Sequence, residues 1–198
     1  MFLKKVWLNF VRWKVFISIL ALACVAFAKE DDDQLLFALP DGWMEVYSDR
    51  TENLSTTEYI PVAQSADSWK EMISVQILLN SPDSQPDIML TRVAAHFKNE
   101  CTDIEVKPIE LAGIEQRYPT LAMIVNCEKK KNSSFGEINI VRGILGKNNF
   151  YLLQKTWRTK AFKKYDIPPI DIEERKFWLG YISYLKICNP SNNDCPKL

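Results

Sequence analysis

Apolar and polar positions alternate through most of this chain, and only twice does the spacing turn helical. Residues 43–48 and 56–62 predict two strands joined by the polar run Asp49-Arg50-Thr51-Glu52-Asn53. Residues 69–79 predict a third. Ile73, Val75, Ile77 and Leu79 fall on one face, with Met72, Ser74, Gln76 and Leu78 on the other. Met89, Leu90, Val93, Ala94, Phe97 and Cys101 then line one face at helical spacing. That helix opens at Ser84-Gln85-Pro86-Asp87, with Ser84 as the expected cap and Asp87 at the capping-box position.

Four further strands follow at residues 103–111, 120–127, 137–145 and 150–157. Ile138, Ile140 and Ile144 share one face of the third, and Gly146-Lys147-Asn148-Asn149 reads as a hairpin turn into the fourth. Asp171 is placed to cap a last helix, with Glu174 three residues on and an apolar stripe of Phe177, Trp178, Tyr181, Ile182 and Leu185. The order β-β-β-α-β-β-β-β-α predicts an α+β fold: an antiparallel sheet of about six to seven strands with two packed helices. No repeat or linker divides it, so residues 35–198 read as a single domain after an acidic, disordered start at 29–34.

The first 28 residues break the pattern. Lys4, Lys5, Arg12 and Lys14 precede an apolar run from Val15 to Ala28, and Ala26-Phe27-Ala28 is followed at once by Lys29-Glu30-Asp31-Asp32-Asp33. A positive segment, a short apolar one and a small-x-small site make a secretory signal peptide, with cleavage expected after Ala28. The apolar run falls short of the ~20 residues a membrane span needs. An alternative is an envelope lipoprotein anchored at Cys24, because Leu20-Ala21-Leu22-Ala23-Cys24 partly matches a bacterial lipobox.

Cleavage changes the charge. The chain has 25 basic and 25 acidic residues. The leader removes four basic residues and no acid, leaving 21 against 25 and a net charge of −4. A mildly acidic domain is a poor nucleic-acid binder. Cys101, Cys127, Cys188 and Cys195 remain, an even number that in an exported chain predicts two disulfides. Of the three pairings, Cys101–Cys127 with Cys188–Cys195 is favoured, the second closing a short polar tail.

Catalytic signatures are missing. The sequence has no P-loop, G-x-G-x-x-G, H-E-x-x-H or G-x-S-x-G elbow. His96 is the only histidine and no C-x-x-C pair exists, so neither a zinc site nor another metal or cofactor is expected. His96 lies at the edge of its helix's apolar face, and Ser74 or Ser183 would be arbitrary nucleophiles beside it. Glu52, Glu58, Glu71, Glu110, Glu115 and Glu137 could supply a carboxylate pair, but no spacing selects one. The stretch 155–165 mixes cations with aromatics at a strand exit. Lys155, Trp157, Arg158, Lys160, Lys163 and Lys164 are therefore the candidate contacts for an anionic ligand or a protein partner. The competing expectation is a solvated loop whose aromatics anchor it to the core.

The segment Phe37-Ala38-Leu39-Pro40-Asp41-Gly42-Trp43 resembles the start of the Mog1/PsbP/DcrB-like α+β fold. Asn149-Phe150-Tyr151, Trp157-Arg158 and Cys188…Cys195-Pro196 are similar to a group of uncharacterised exported proteins of Gram-negative bacteria. The resemblance implies an antiparallel sheet with flanking helices and a bacterial origin. It carries over no catalytic residue, since members of this fold group bind small GTPases, assist photosystem assembly or sit in envelopes as lipoproteins. The expectation is an exported, non-enzymatic binding or accessory protein, periplasmic or secreted, meeting a host or envelope partner. A secreted hydrolase with a carboxylate-based site is the alternative.

Overall fold

A computed structural model describes residues 33–110, 117–163, 166, 169–192 and 195. The expected leader, Cys24, residues 29–32, Glu115 and Lys164 lie outside the described residues. Seven strands form one antiparallel sheet: β2 (Trp43–Arg50), β3 (Leu54–Pro61), β4 (Glu71–Leu78), β5 (Ile104–Ile109), β6 (Thr120–Cys127), β7 (Phe135–Leu145) and β8 (Phe150–Lys160). Their spatial order is β2-β3-β4-β8-β7-β6-β5. Two short strands, β1 (Gln34–Leu36) and β9 (Lys186–Cys188), pair separately. With two helices, α1 (Pro86–Glu100) and α2 (Ile172–Ser183), the α+β expectation is borne out.

The chain path explains the strand order. After the β2-β3-β4 meander, α1 carries the chain across the sheet to its far edge. The second meander, β5-β6-β7-β8, then returns until β8 pairs with β4 along its whole length, from Glu71↔Trp157 to Leu78↔Phe150. Gly146 N–H donates to the Asn149 carbonyl at 2.8 Å and closes the β7–β8 hairpin where expected.

Each face has its own helix. Met89, Leu90 and Phe97 of α1 pack on Met123, Val125, Val141, Phe150 and Leu152. A Cβ on Gly143 would sit 2.6 Å from Phe150 Cζ and 2.7 Å from Leu90 Cδ1, so glycine leaves room for these two side chains between sheet and helix. On the other face, Trp178 and Ile182 of α2 pack on Ile73, Val75, Ile138, Ile140 and Leu153. The bridges Cys101–Cys127 and Cys188–Cys195 both form as expected. Arg142 fixes the end of α2: its Nη1 donates to the carbonyls of Ile182 (2.6 Å), Leu185 (3.0 Å) and Ser183 (3.1 Å).

Four local expectations are corrected. Ser84 does not cap α1. The residue before a proline is held extended, so Gln85 (ψ 135) becomes the cap position, without a side-chain bond, and Pro86 opens the helix. Asp171 does cap α2, accepting from Glu173 N and Glu174 N, but the Glu174 carboxylate turns away to Trp157. Phe177 is 55 % exposed, because the buried stripe centres on Trp178 and Ile182. Finally, the ordered chain includes Asp33 and Gln34, which the sequence places in the disordered start.

Asp33 is buried. Its carboxylate accepts from Tyr118 Oη (3.0 Å), Asn189 Nδ2 (3.1 Å) and the Lys147 amide, tying β1 to the main sheet and the β9 exit. Asp33→Ala strands these donors and is expected to cost about 2 kcal/mol. Denaturant melts of the two proteins check this.

Candidate functional site

Alternation along β8 splits the basic–aromatic stretch between the two faces of the sheet. Odd residues face α2 and even residues face α1. Lys155 and Trp157, expected as ligand contacts, are therefore internal, as central-strand positions beneath a helix must be. Lys155 is 0 % exposed. Its ammonium lies 4.5 Å from the Trp43 ring, 4.7 Å from Trp157 and 4.5 Å from Trp178, and donates to Glu71 Oε2 at 2.6 Å. Trp157 Nε1 donates to Glu174 Oε1 at 2.6 Å, and the neighbouring Glu71 carboxylate disfavours charge on Glu174. Burial pulls the Lys155 pKa down to about 8 against the pull of Glu71. Burial, foremost, raises that of Glu174. The ammonium is fully enclosed, while its carboxylate partner Glu71 keeps 28 % of its side chain exposed.

Lys160, the last residue of β8, and Lys163, on the loop after it, are both exposed. Phe162 anchors this loop: its amide donates to the Glu128 carbonyl at 3.1 Å and its ring packs among the α2-side core residues. Of the five expected contacts among the described residues, Arg158 lines a concave site.

That site is a groove of about 640 Å³ on the α1 face. Helix α1 packs over β5, β6 and β7 and leaves β3, β4 and the near side of β8 uncovered. Successive cross-strand rows give the floor a graded chemistry. Leu54 and Leu78 form an apolar end. Gln76 with Leu152, then Glu58, Ser74 and Gln154, then Met72 and Thr156 follow. Arg158 and Glu137 form the far end, flanked by Trp69, Phe135 and Lys130. Met89, Arg92, Val93 and His96 of α1 make the wall.

The middle of the floor is locked from below. Gln154 Nε2 donates to Asn139 Oδ1 (3.0 Å) and Thr156 Oγ1 (2.9 Å), Thr156 Oγ1 donates to Asn139 Oδ1 (2.8 Å), and Asn139 Nδ2 reaches the Val125 carbonyl at 3.4 Å. Such a fully connected network holds its members in one geometry. At the charged end, Arg158 Cζ lies 3.6 Å from the Trp69 ring centroid and 4.8 Å from that of Phe135. Its Nε is 3.8 Å from Glu137 Oε1, and Lys130 Nζ is 4.0 Å from Glu137 Oε2. Burial raises the Glu137 pKa, opposed by Lys130 and Arg158.

Ser74 and His96 line the same groove, but the Ser74 hydroxyl points to Glu58 Oε1 at 3.5 Å and no hydrogen bond joins it to His96. Of the carboxylates considered, Glu58 and Glu137 share the groove. They stand on β3 and β7, three strand spacings or about 14 Å apart at the backbone, and Glu137 is turned to Arg158 and Lys130. Glu71 is committed to Lys155, while Glu52 and Glu110 are exposed outside the groove. Among the described residues no cluster of three His, Cys, Asp or Glu could hold a metal ion.

Sequence reasoning missed Gln76, Gln154, Thr156 and Asn139. Their signal is present: central strands covered on both faces read apolar throughout, yet β4 and β8 carry Ser74, Gln76, Gln154 and Thr156 on one face. No protein-family model matches this chain, and no curated protein does either.

Proposed function

We propose that this is an exported, non-enzymatic binding protein whose ligand occupies the groove beside α1. The observation that carries the reading is the uncovered half of the α1 face, where a polar floor is already locked by the Gln154–Thr156–Asn139 network. Preorganised side chains bind without a further ordering cost. Two disulfides fit an oxidising compartment, periplasmic or extracellular, which accords with the signal-like leader. No helix among the described residues is long and apolar enough to cross a membrane. The likeness of residues 37–43 to the Mog1/PsbP/DcrB-like fold belongs to this reading, in which the protein serves as a binding accessory in a bacterial envelope or its surroundings.

The test is capture. Gln76 sits on the groove floor without a hydrogen-bond partner that its loss would strand, so Gln76→Trp fills the groove at little cost to a strand. Tagged wild-type protein, expressed in full and recovered from its own compartment, is expected to retain a ligand or partner that Gln76→Trp loses, both read by mass spectrometry. Equal retention by the two proteins would overturn the reading.

A further inference from the structure

We propose that the groove's ligand carries an acidic group, a carboxylate or a phosphate, and that the stacked guanidinium of Arg158 receives it. This rests on the groove being the binding site and adds the chemistry at one end of it. The guanidinium is positioned without using its donors. Trp69 lies 3.6 Å from Cζ on one contact and Phe135 4.8 Å on another, so ring stacking orients its plane. Its backbone is fixed too, the Arg158 amide donating to the Lys70 carbonyl at 2.7 Å.

Five N–H donors belong to this side chain. Nε is buried and has no hydrogen-bond partner; its approach to Glu137 Oε1 at 3.8 Å is an ion pair and too long for a hydrogen bond. The remaining donors make no hydrogen bond among the described residues. An arginine kept for stability alone would spend them on carbonyls, as Arg142 does on three. Arg158 instead keeps 30 % of its side chain exposed along the groove, where an anion can reach it.

The neighbours favour this end of the groove. Lys130 brings a second cation against Glu137, and His96 acts on the same carboxylate. Glu137 partly neutralises them, and Glu100, 3.5 Å from Lys130, does so from the rim. What distinguishes the site is thus the planar fork held against two rings, which matches the two oxygens of a carboxylate or phosphate.

The experiment follows the Arg158 Nε–Hε resonance of the full protein during titration with sodium phosphate, sodium acetate or, at matched ionic strength, sodium chloride. The expected result is a saturable shift with phosphate or acetate that chloride does not produce. A response to phosphate alone assigns a phosphate, and a response to acetate assigns a carboxylate. Arg158→Lys keeps the charge and loses the fork; followed through the Trp69 indole resonance, it is expected to bind at least about tenfold more weakly. Lys160→Glu, at the exposed end of β8, is expected to bind as wild type does. No shift beyond chloride, or equal affinity in Arg158→Lys, overturns the anion site. If Gln76→Trp still abolishes capture in that case, the groove reading stands and only the acidic group is lost.

Discussion

Glu71→Ala is expected to destabilise the protein by about 3 kcal/mol, more than any single groove substitution, because it strands a buried ammonium. Lys155 is fully enclosed by Trp43, Trp157 and Trp178, and Glu71 makes the 2.6 Å bond that compensates its charge. Removing both charges has a different outcome. In Lys155→Met with Glu71→Gln, the thioether packs against the three indoles, the buried ammonium is gone, and Glu174 keeps its bond from Trp157 Nε1. This double variant is expected within about 1 kcal/mol of wild type. Urea melts of the single and double variants measure the coupling.

The same lysine predicts a pH dependence. Its folded pKa is about 8, below the ordinary 10.5, because burial disfavours the charged form. Between these values the unfolded chain holds more protons than the folded one, so stability rises with pH. The burial penalty is full below pH 8 and fades toward 10.5. Tyr181 works the opposite way, since burial pushes its pKa up to about 12 and stability falls as pH climbs from 10. The clean window is therefore pH 8 to 10, where Lys155 should contribute a gain of about 2 kcal/mol. The gain is expected to vanish in Lys155→Met.

Loss of the Cys101–Cys127 bridge is the second large effect. It joins the end of α1 to the end of β6 across a separation of 26 residues. On the chain-entropy account, Cys101→Ala with Cys127→Ala costs about 3.5 kcal/mol. The Cys188–Cys195 bridge spans only 7 residues and should contribute about 1 kcal/mol less. Exposure orders their reduction as well. Cys101 and Cys127 are both buried, whereas Cys195 is half-buried. Mild reductant is expected to open Cys188–Cys195 first, with the thiols identified by alkylation and mass spectrometry.

Much of this fold is legible from alternation alone. The two faces of β4 and the Ile138–Ile140–Ile144 face of β7 follow directly from the period of two, because one-residue slips would bury Ser74 and Gln76 beneath α2. The pair β1 and β9 is not legible, since three residues carry no period, and their pairing depends on Asp33, whose partners are 85 or more residues away in sequence. The candidate site was half visible. A run of cations and aromatics suggested a surface from 155 to 165, but a strand sends neighbouring residues to opposite faces. Lys155 and Trp157 turn inward for this reason, while Thr156 and Arg158 reach the groove. The polar floor needed two strands read side by side, Ser74 against Gln154 and Met72 against Thr156, and that register comes from the crossover of α1 rather than from local sequence.

The location of a bound ligand tests the central claim most directly, and the methionines are placed to report it. Met72 and Met89 line the groove, Met44 is exposed on the edge strand β2, and Met123 lies in the core beneath α1. Methyl-labelled protein is compared with and without the ligand it captures. Met72 and Met89 resonances are expected to be displaced, with Met44 unmoved. A shift of Met44 with Met72 and Met89 unchanged would contradict the claim.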